Sequence, residues 1–241
     1  MKKIALIPAR YAATRFPGKM MADLGVQSVI WRTYESTLKT GLFDDVAVVC
    51  DHPIIYDEIN SHGGKVIMST REHESGTDRI AEAAESMDAD VFVNVQGDTP
   101  FTQKIPLEKL LQVFEGEEGK NVQVASLMQV LTDPESIADS NFVKVVTDLH
   151  SNALLFSRSP IPYHRNLDLQ PVYYEHIGIY AFRKQTLMDF TQMPISPLES
   201  IEKIECLRYL ENGIPLKMVV TDYMGVEIDT PEDLVKAAKL L

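Results

Sequence analysis

Near its amino terminus the chain reads Ile4-Ala5-Leu6-Ile7-Pro8, and this apolar run leads directly into Ala9-Arg10-Tyr11-Ala12-Ala13-Thr14-Arg15-Phe16-Pro17-Gly18-Lys19. A short apolar run that ends at a proline predicts a strand buried on both faces, as in a parallel sheet. The segment after it carries three cations, Arg10, Arg15 and Lys19. Parallel sheets bind their ligands in the loops that follow the carboxyl ends of their strands. The segment therefore predicts a local anion site, with a solvated basic loop as the alternative interpretation.

The segment Ala9–Lys19, which we call the cation loop, matches neither of two common nucleotide motifs. A Walker A loop requires Gly-Lys followed by serine or threonine, and a dinucleotide turn requires Gly-x-Gly-x-x-Gly. Here Gly18-Lys19 is followed by Met20. A triphosphate nevertheless needs several cations, and Gly18 permits close approach of the backbone to a ligand.

The composition of the chain limits its possible partners. The 241 residues carry a net charge of -12, with a sequence pI near 4.9. A basic surface for nucleic acid is therefore not expected, and any anion site has to be local. Hydrophobic residues make up 45% of the chain and charged residues 24%, which is typical of a globular protein.

The two cysteines, Cys50 and Cys206, are too few for a disulfide framework and lack metal-ligand spacing. We expect reduced thiols. No run of about 20 apolar residues is present, so no membrane insertion is expected. The first apolar run is also too short for a signal peptide. These features predict a cytoplasmic protein.

Short apolar runs alternate with helical patterns through the first half of the chain. Strands are predicted at residues 4–8, 46–50, 65–68 and 91–95. Helices are predicted at residues 29–39, 53–61, 78–86 and 107–114. This alternation predicts the α/β class, with a mostly parallel sheet.

The second half predicts antiparallel strands at residues 143–147, 153–157 and 177–182. Ser196, Pro197 and Glu199 form a capping-box pattern that starts one helix, which we expect to end at Asn212-Gly213. A last strand is expected to end near residue 228, before a helix capped by Thr230. Residues 115–121 are predicted to be a loop, and residues 1–241 a single domain.

Two aspartates are candidate metal ligands. Asp98 follows the predicted strand 91–95 in Gln96-Gly97-Asp98-Thr99-Pro100, and Asp229 precedes the last helix. Carboxylates at strand ends suit magnesium that bridges nucleotide phosphates. The alternatives are that Asp98 stabilises a turn and Asp229 serves helix capping. Sequence spacing alone does not bring the two aspartates together.

Taken together, the motifs resemble one enzyme family along nearly the whole chain and in the same order. The chain is similar to the 3-deoxy-manno-octulosonate cytidylyltransferases, the CMP-Kdo synthetases. The matching segments are Pro8-Ala9-Arg10, Thr14–Lys19, Ser75–Arg79, Gln96–Asp98, Phe156–Tyr163, His176–Arg183, Ser196–Glu199, Leu210–Gly213 and Asp229–Asp233.

The resemblance implies a Rossmann-like nucleotidyltransferase core that works as a homodimer, with an antiparallel subregion at about residues 142–195 for sugar binding and dimerisation. It implies that CTP and the acidic 3-deoxy sugar Kdo react to CMP-Kdo and diphosphate, for lipopolysaccharide biosynthesis. The catalytic residues would be Lys19, Asp98 and Asp229, and the two aspartates would bind Mg²⁺. Nucleotide contacts would come from Pro8, Ala9, Arg10, Arg15, Lys19, Ser75, Gly76 and Arg79.

For the sugar acid, the resemblance implies contacts with Gln96, Arg158, His176 and Glu205. Ala13, Thr99 and Cys206 depart from the pattern of the family. They keep two alternatives open. One is a cytidylyltransferase for a related acidic sugar, such as a modified octulosonate or a sialic acid. The other is a weakly active dimer that binds nucleotide.

Overall fold

The computed structural model describes residues 1–12, 16–222 and 226–241. The chain forms two compact units. The first contains Met1–Glu108 and Met224–Leu241, and the second contains Lys109–Tyr223. The single domain over residues 1–241, with a subregion at about 142–195, stays a prediction.

Four parallel strands form the sheet of the first unit, in the order β3-β2-β1-β4. They are β1 (Lys3–Ala9), β2 (Asp45–Cys50), β3 (Val66–Met68) and β4 (Val91–Asn94). The helices in this part of the chain are α1 (Val29–Lys39), α2 (Pro53–Ser61), α3 (Gly76–Glu85) and α4 (Lys104–Gln112). The α/β class with a mainly parallel sheet is confirmed here, because β1 lies between two parallel neighbours and is buried along its apolar run.

The second unit contains mixed strand pairs. Its strands are β5 (Val124–Leu131), β6 (Lys144–Thr147), β7 (Ala153–Ser157), β8 (Tyr173–Arg183) and β9 (Leu216–Val220). β5 pairs antiparallel with β8 and parallel with β9, and β6 pairs antiparallel with β7 and β8. The helices are α5 (Gly116–Gly119), α6 (Pro134–Ala138), α7 (Lys184–Gln192), α8 (Pro197–Glu202) and α9 (Leu207–Glu211), and the first unit ends with α10 (Pro231–Ala238).

Polar side chains cap the first turns of several helices. Ser28 caps α1 by accepting a hydrogen bond from the backbone N–H of Trp31. Ser196 with Glu199 and Thr230 with Asp233 form capping boxes at α8 and α10. Among the described residues, no helix is both long and apolar enough to cross a membrane.

The predicted helix from residue 197 to the turn at 212–213 was wrong as one element. Lys203 adopts a left-handed conformation with φ 55°, which ends α8, and α9 starts only at Leu207. Ile201, the fifth residue of α8, is 77% exposed.

The expected strand before residue 228 was also wrong, because residues 226–229 are not in a strand. The final strand of the described chain is β9, which the sequence patterns did not predict, and neither did they predict β5. The expected loop at residues 115–121 contains the short helix α5.

Candidate functional site

The amino group of Lys19 lies between two carboxylates in the first unit. Its Nζ is 2.5 Å from Asp98 Oδ2 and 3.0 Å from Asp229 Oδ1. Lys19 begins a 3₁₀ turn directly after Gly18, whose φ of 71° is a conformation that favours glycine. The cation loop thus delivers Lys19 to carboxylates that lie 79 and 210 positions further along the chain.

Asp98 is fixed by a tight turn after β4. A Cβ on Gly97 would lie 2.8 Å from the carbonyl oxygen of Pro8, so the backbone can approach this closely only because residue 97 is glycine. Thr33 Oγ1 donates to the Gly97 carbonyl oxygen at 2.9 Å. The backbone N–H of Ile228 donates to the Asp98 carbonyl oxygen at 3.0 Å. This last bond holds residues 226–229 beside Asp98, which brings Asp229 into the cluster.

Glu227 is a third carboxylate of the same cluster, and the sequence analysis did not single it out. One ligand atom each from Asp98, Glu227 and Asp229 can be chosen so that all lie within 4.8 Å of one another. Side chains two positions apart in extended backbone point to the same side. The spacing of Glu227 and Asp229 was therefore the signal that could have identified it.

The cluster carries more negative than positive charge. Burial disfavours the charge of Lys19, but the Coulombic attraction and hydrogen bonds of Asp98 and Asp229 outweigh it and hold the lysine pKa above its ordinary value. Asp98 is only 8% exposed, and its Oδ1 has no hydrogen-bond partner among the described residues. A site rich in carboxylate oxygens, in which the buried Asp98 Oδ1 has no hydrogen-bond partner among the described residues, fits a hard divalent cation such as magnesium.

Most predicted nucleotide residues lie around the carboxyl end of β1. Pro8 and Ala9 are the last residues of β1, and Arg10 is exposed directly after them. Arg15 lies outside the described residues. Ser75 caps α3, and a Cβ on Gly76 would lie 3.1 Å from Pro8 Cγ, so α3 starts in close contact with the end of β1.

A cavity of about 550 Å³ opens beside this strand end in the first unit. Arg10 and Arg79, both predicted nucleotide residues, contribute to its wall, together with Arg71 and His73. Arg79 is almost fully buried and pairs with Asp51, its Nη2 lying 3.1 Å from Asp51 Oδ2. Asp51 and Glu72 also line the cavity, so its three arginines outnumber its two carboxylates and leave a small local excess of positive charge in an acidic protein.

The residues predicted to contact the sugar belong to both units. Gln96 lies in the first unit, where its carbonyl oxygen accepts hydrogen bonds from the backbone and hydroxyl of Thr99. Arg158 and Glu205 lie in the second unit. The guanidinium of Arg158 donates to the carbonyl oxygens of Ser140, Glu202 and Lys203. Glu205 occupies the turn between α8 and α9.

His176 lies on β8 in the second unit. Its Nε2 is 3.0 Å from Ser126 Oγ, and its ring lies against Phe156 and Tyr180. Burial by these neighbours lowers the pKa of His176 to about 3, although part of the residue remains exposed. The imidazole is neutral at physiological pH, which suits hydrogen bonding and makes it a weak base.

Comparisons with known proteins give a consistent result. The sequence profile described as "Cytidylyltransferase" matches residues 4–221. The chain is 56% identical to the 3-deoxy-manno-octulosonate cytidylyltransferase of Flavobacterium johnsoniae over 100% of this chain and 99% of that protein. The protein of that name from Bacteroides thetaiotaomicron is 43% identical over 100% of this chain and 98% of its own length.

Solved structures agree in fold. A CMP:2-keto-3-deoxy-manno-octonic acid synthetase complexed with CTP superposes with a TM-score of 0.93 and 37% identity, and the match covers 100% of this chain and 98% of that one. HddC from Yersinia pseudotuberculosis has a TM-score of 0.72 at 18% identity over 100% of this chain and 99% of its own, which supports the fold alone. The α/β architecture with a mostly parallel sheet, which the resemblance implied as a Rossmann-like core, is thereby confirmed.

Proposed function

Because the chain belongs to the cytidylyltransferase family, and within it to the 3-deoxy-manno-octulosonate cytidylyltransferases, we propose that it joins CTP and Kdo to give CMP-Kdo and diphosphate. The observation that carries this proposal is the cluster in which Lys19 meets Asp98 and Asp229 beside the end of β1. Such a cluster brings a phosphate-binding cation and cation-binding carboxylates to one place. The anomeric hydroxyl of Kdo attacks the α-phosphorus of CTP, and diphosphate leaves.

Magnesium is the cofactor that we propose for this reaction. Asp98 and Asp229 would hold it, with Glu227 as a third carboxylate of the same cluster. The chemistry that a bound magnesium ion supplies is neutralisation of charge on phosphate oxygens and a lower pKa for the attacking hydroxyl. The buried Asp98 oxygen without a partner supports this assignment.

The side chains of this protein contribute mainly position and charge, because phosphoryl-type transfers need little covalent chemistry from the enzyme. Lys19 is charged throughout the physiological pH range, since its pKa is raised. It is placed to neutralise phosphate oxygens as negative charge shifts toward the leaving diphosphate. Arg10 and Arg79 add positive charge at the cavity, and Arg15 and Ser75 are proposed nucleotide contacts.

The sugar contacts remain proposals. We assign Gln96, Arg158, His176 and Glu205 to Kdo. The low pKa of His176 makes it a weak base, which favours a hydrogen bond to a sugar hydroxyl over a role as general base. The carbonyl contacts of Arg158 hold the guanidinium in a defined place, which would orient it toward a carboxylate.

We further propose a cytoplasmic homodimer that supplies CMP-Kdo for lipopolysaccharide assembly. The support for dimerisation is that several large apolar side chains of the second unit are exposed. Leu154 on β7 is 62% exposed, and Leu149 and Tyr163 are also largely exposed. Such side chains mark a protein interface where they lie together in one patch. Light scattering coupled to gel filtration tests the dimer, and a monomer at micromolar concentration would contradict it.

The decisive experiment is diphosphate release with CTP, magnesium and Kdo. Other nucleoside triphosphates are tested with Kdo, and a sialic acid and a modified octulosonate are tested with CTP. We expect the highest kcat/KM for CTP with Kdo. A higher value for another acidic sugar would reassign the substrate. Binding of CTP without turnover of any sugar would support a nucleotide-binding dimer instead.

A further inference from the structure

Asp51 connects the two segments that the proposed function assigns to the nucleotide. It follows β2, and its Oδ1 accepts a hydrogen bond from the backbone N–H of Tyr11 at 3.0 Å. Its Oδ2 pairs with the guanidinium of Arg79 at 3.1 Å. Tyr11 belongs to the cation loop after β1, whereas Arg79 belongs to α3. One carboxylate thus joins the start of the cation loop to the helix on the other side of the cavity.

The next residue, His52, holds Tyr11 by a second contact. The imidazole stacks on the ring of Tyr11, with centroids 4.2 Å apart and an angle of 17° between the planes. His52 Nδ1 also accepts a hydrogen bond from the backbone N–H of Ile54 at 3.2 Å and so caps α2. The ring is therefore fixed at one side by a helix and presents its face to the cation loop.

Both stacked rings line the cavity that contains Arg10 and Arg79. Arg10 directly precedes Tyr11, so fixing Tyr11 restricts where the backbone of Arg10 can lie. A loop that is ordered before its ligand arrives loses less conformational entropy on binding. Stacked aromatic pairs are stabilising, so the contact with His52 favours this position of Tyr11.

We propose that His52 is a positioning residue for nucleotide binding, and that it acts by stacking on Tyr11 and holding the start of the cation loop at the cavity. This inference rests on the proposed function, because CTP is the ligand that the loop would bind. His52 itself does not need to touch the nucleotide. Its capping of α2 is a separate, structural role.

Two variants of His52 separate positioning from capping. His52→Asn keeps a good N-cap and removes the ring, whereas His52→Phe keeps a ring and removes the cap. For His52→Asn we expect CTP to bind about 3- to 10-fold more weakly, with an unchanged melting temperature and an unchanged KM for Kdo. For His52→Phe we expect CTP affinity within about twofold of wild type and a melting temperature lower by a few degrees.

A second stacked histidine in the same unit provides the matched control. The ring of His62 stacks on Trp31 with centroids 4.6 Å apart, and neither residue lines the cavity. His62→Asn should leave CTP affinity unchanged. A Tyr11→Leu variant should weaken CTP binding, and adding His52→Asn to it should have little further effect, because the two residues act through one contact.

Calorimetric titration of the full chain with CTP and magnesium gives these affinities without requiring turnover. The proposal is overturned if His52→Asn binds CTP as wild type does, if both His52 variants lose affinity equally, or if His62→Asn loses as much. A wild-type protein that does not bind CTP at all would refute the proposed function instead. That result would be visible before any variant is compared.

Discussion

Two ion-pair sites of this chain, a buried one in the second unit and a partly buried one in the first, differ in how completely their charges are matched. In the second unit, Arg208 pairs with Glu199, its Nε lying 2.7 Å from Glu199 Oε2 and its Nη2 bonded to the other carboxylate oxygen. The remaining Nη1 donates to the carbonyl oxygens of Phe190 and Met193. Glu199 also accepts from the backbone N–H of Ser196. One positive charge meets one negative charge, and every nitrogen of the guanidinium and both oxygens of the carboxylate have a hydrogen-bond partner.

The Lys19 cluster of the first unit is built differently. One ammonium group faces two carboxylates directly, a third belonging to Glu227 lies close by, and Asp98 Oδ1 has no partner among the described residues. Folding alone does not require this excess of negative charge, and buried acceptors are normally satisfied. The Arg208–Glu199 pair therefore stabilises the fold, whereas the Lys19 cluster still has carboxylate oxygens that could bind a cation.

The largest effect that this comparison predicts is on the activity of an Asp98 variant. Asp98→Asn should reduce magnesium-dependent diphosphate release from CTP and Kdo by about 10³-fold or more, because it removes a carboxylate from the proposed cation site. Its free energy of unfolding should change by less than about 1 kcal/mol. Retained activity in this variant would remove Asp98 from the metal site.

The matched substitution in the second unit, Glu199→Gln, should lower stability and leave nucleotide binding unchanged. Glu199→Gln leaves the buried charge of Arg208 without its counter-ion, so the free energy of unfolding should fall by about 3 kcal/mol or more in a urea titration. The CTP affinity of the folded protein should not change. A stability loss no greater than that of Asp98→Asn would show that the two ion pairs do not differ as described.

The third prediction concerns Lys19, whose ammonium group is the cation within the cluster of Asp98, Glu227 and Asp229. Lys19→Met removes the ammonium group that competes for the carboxylates, so the nucleotide-free protein should bind Mg²⁺ about tenfold more tightly in calorimetry. The same variant should bind CTP more weakly, with a smaller effect on Kdo. Unchanged magnesium affinity would mean that the carboxylates are not a cation site.

The smallest effect concerns backbone strain in the turn that follows Lys19. Val26 is 96% exposed and has φ 64°, a conformation that is unfavourable for a β-branched residue. Val26→Gly should raise the free energy of unfolding by about 0.5–1 kcal/mol. CTP affinity should remain that of wild type. A loss of affinity on relieving the strain would link this turn to the position of Lys19.

The sequence predicted those parts of the fold that depend on local signals. β1 followed from one apolar run, α1 and α2 followed from helical patterns of apolar residues, and the start of α8 followed from its capping box. β5 and β9 were missed because nothing in their own residues distinguished them from other short apolar segments until their pairing was known. The break at Lys203 was missed because neither glycine nor proline marks it.

For the candidate site, the sequence predicted residues that belong to it but not how they come together. Lys19, Asp98 and Asp229 were identified by residue type and by their place after strands or before a helix. Their meeting could not be predicted from spacing, since it depends on the main-chain bond from Ile228 to Asp98. Glu227 was missed although its spacing to Asp229 is visible in the sequence, because the position of both residues beside Asp98 depends on the same bond.

The order of the units along the chain has a consequence during synthesis on the ribosome. The first unit is interrupted after Glu108 and is completed only by Met224–Leu241, after the whole second unit. The nascent chain can therefore build β1 to β4 early, but Glu227 and Asp229 leave the exit tunnel only after the whole second unit. Lys19 therefore cannot pair with Asp229, which lies 210 positions further along the chain, until the second unit has been synthesised. A ribosome that stops before this point releases a chain with a parallel sheet and an incomplete set of acidic residues.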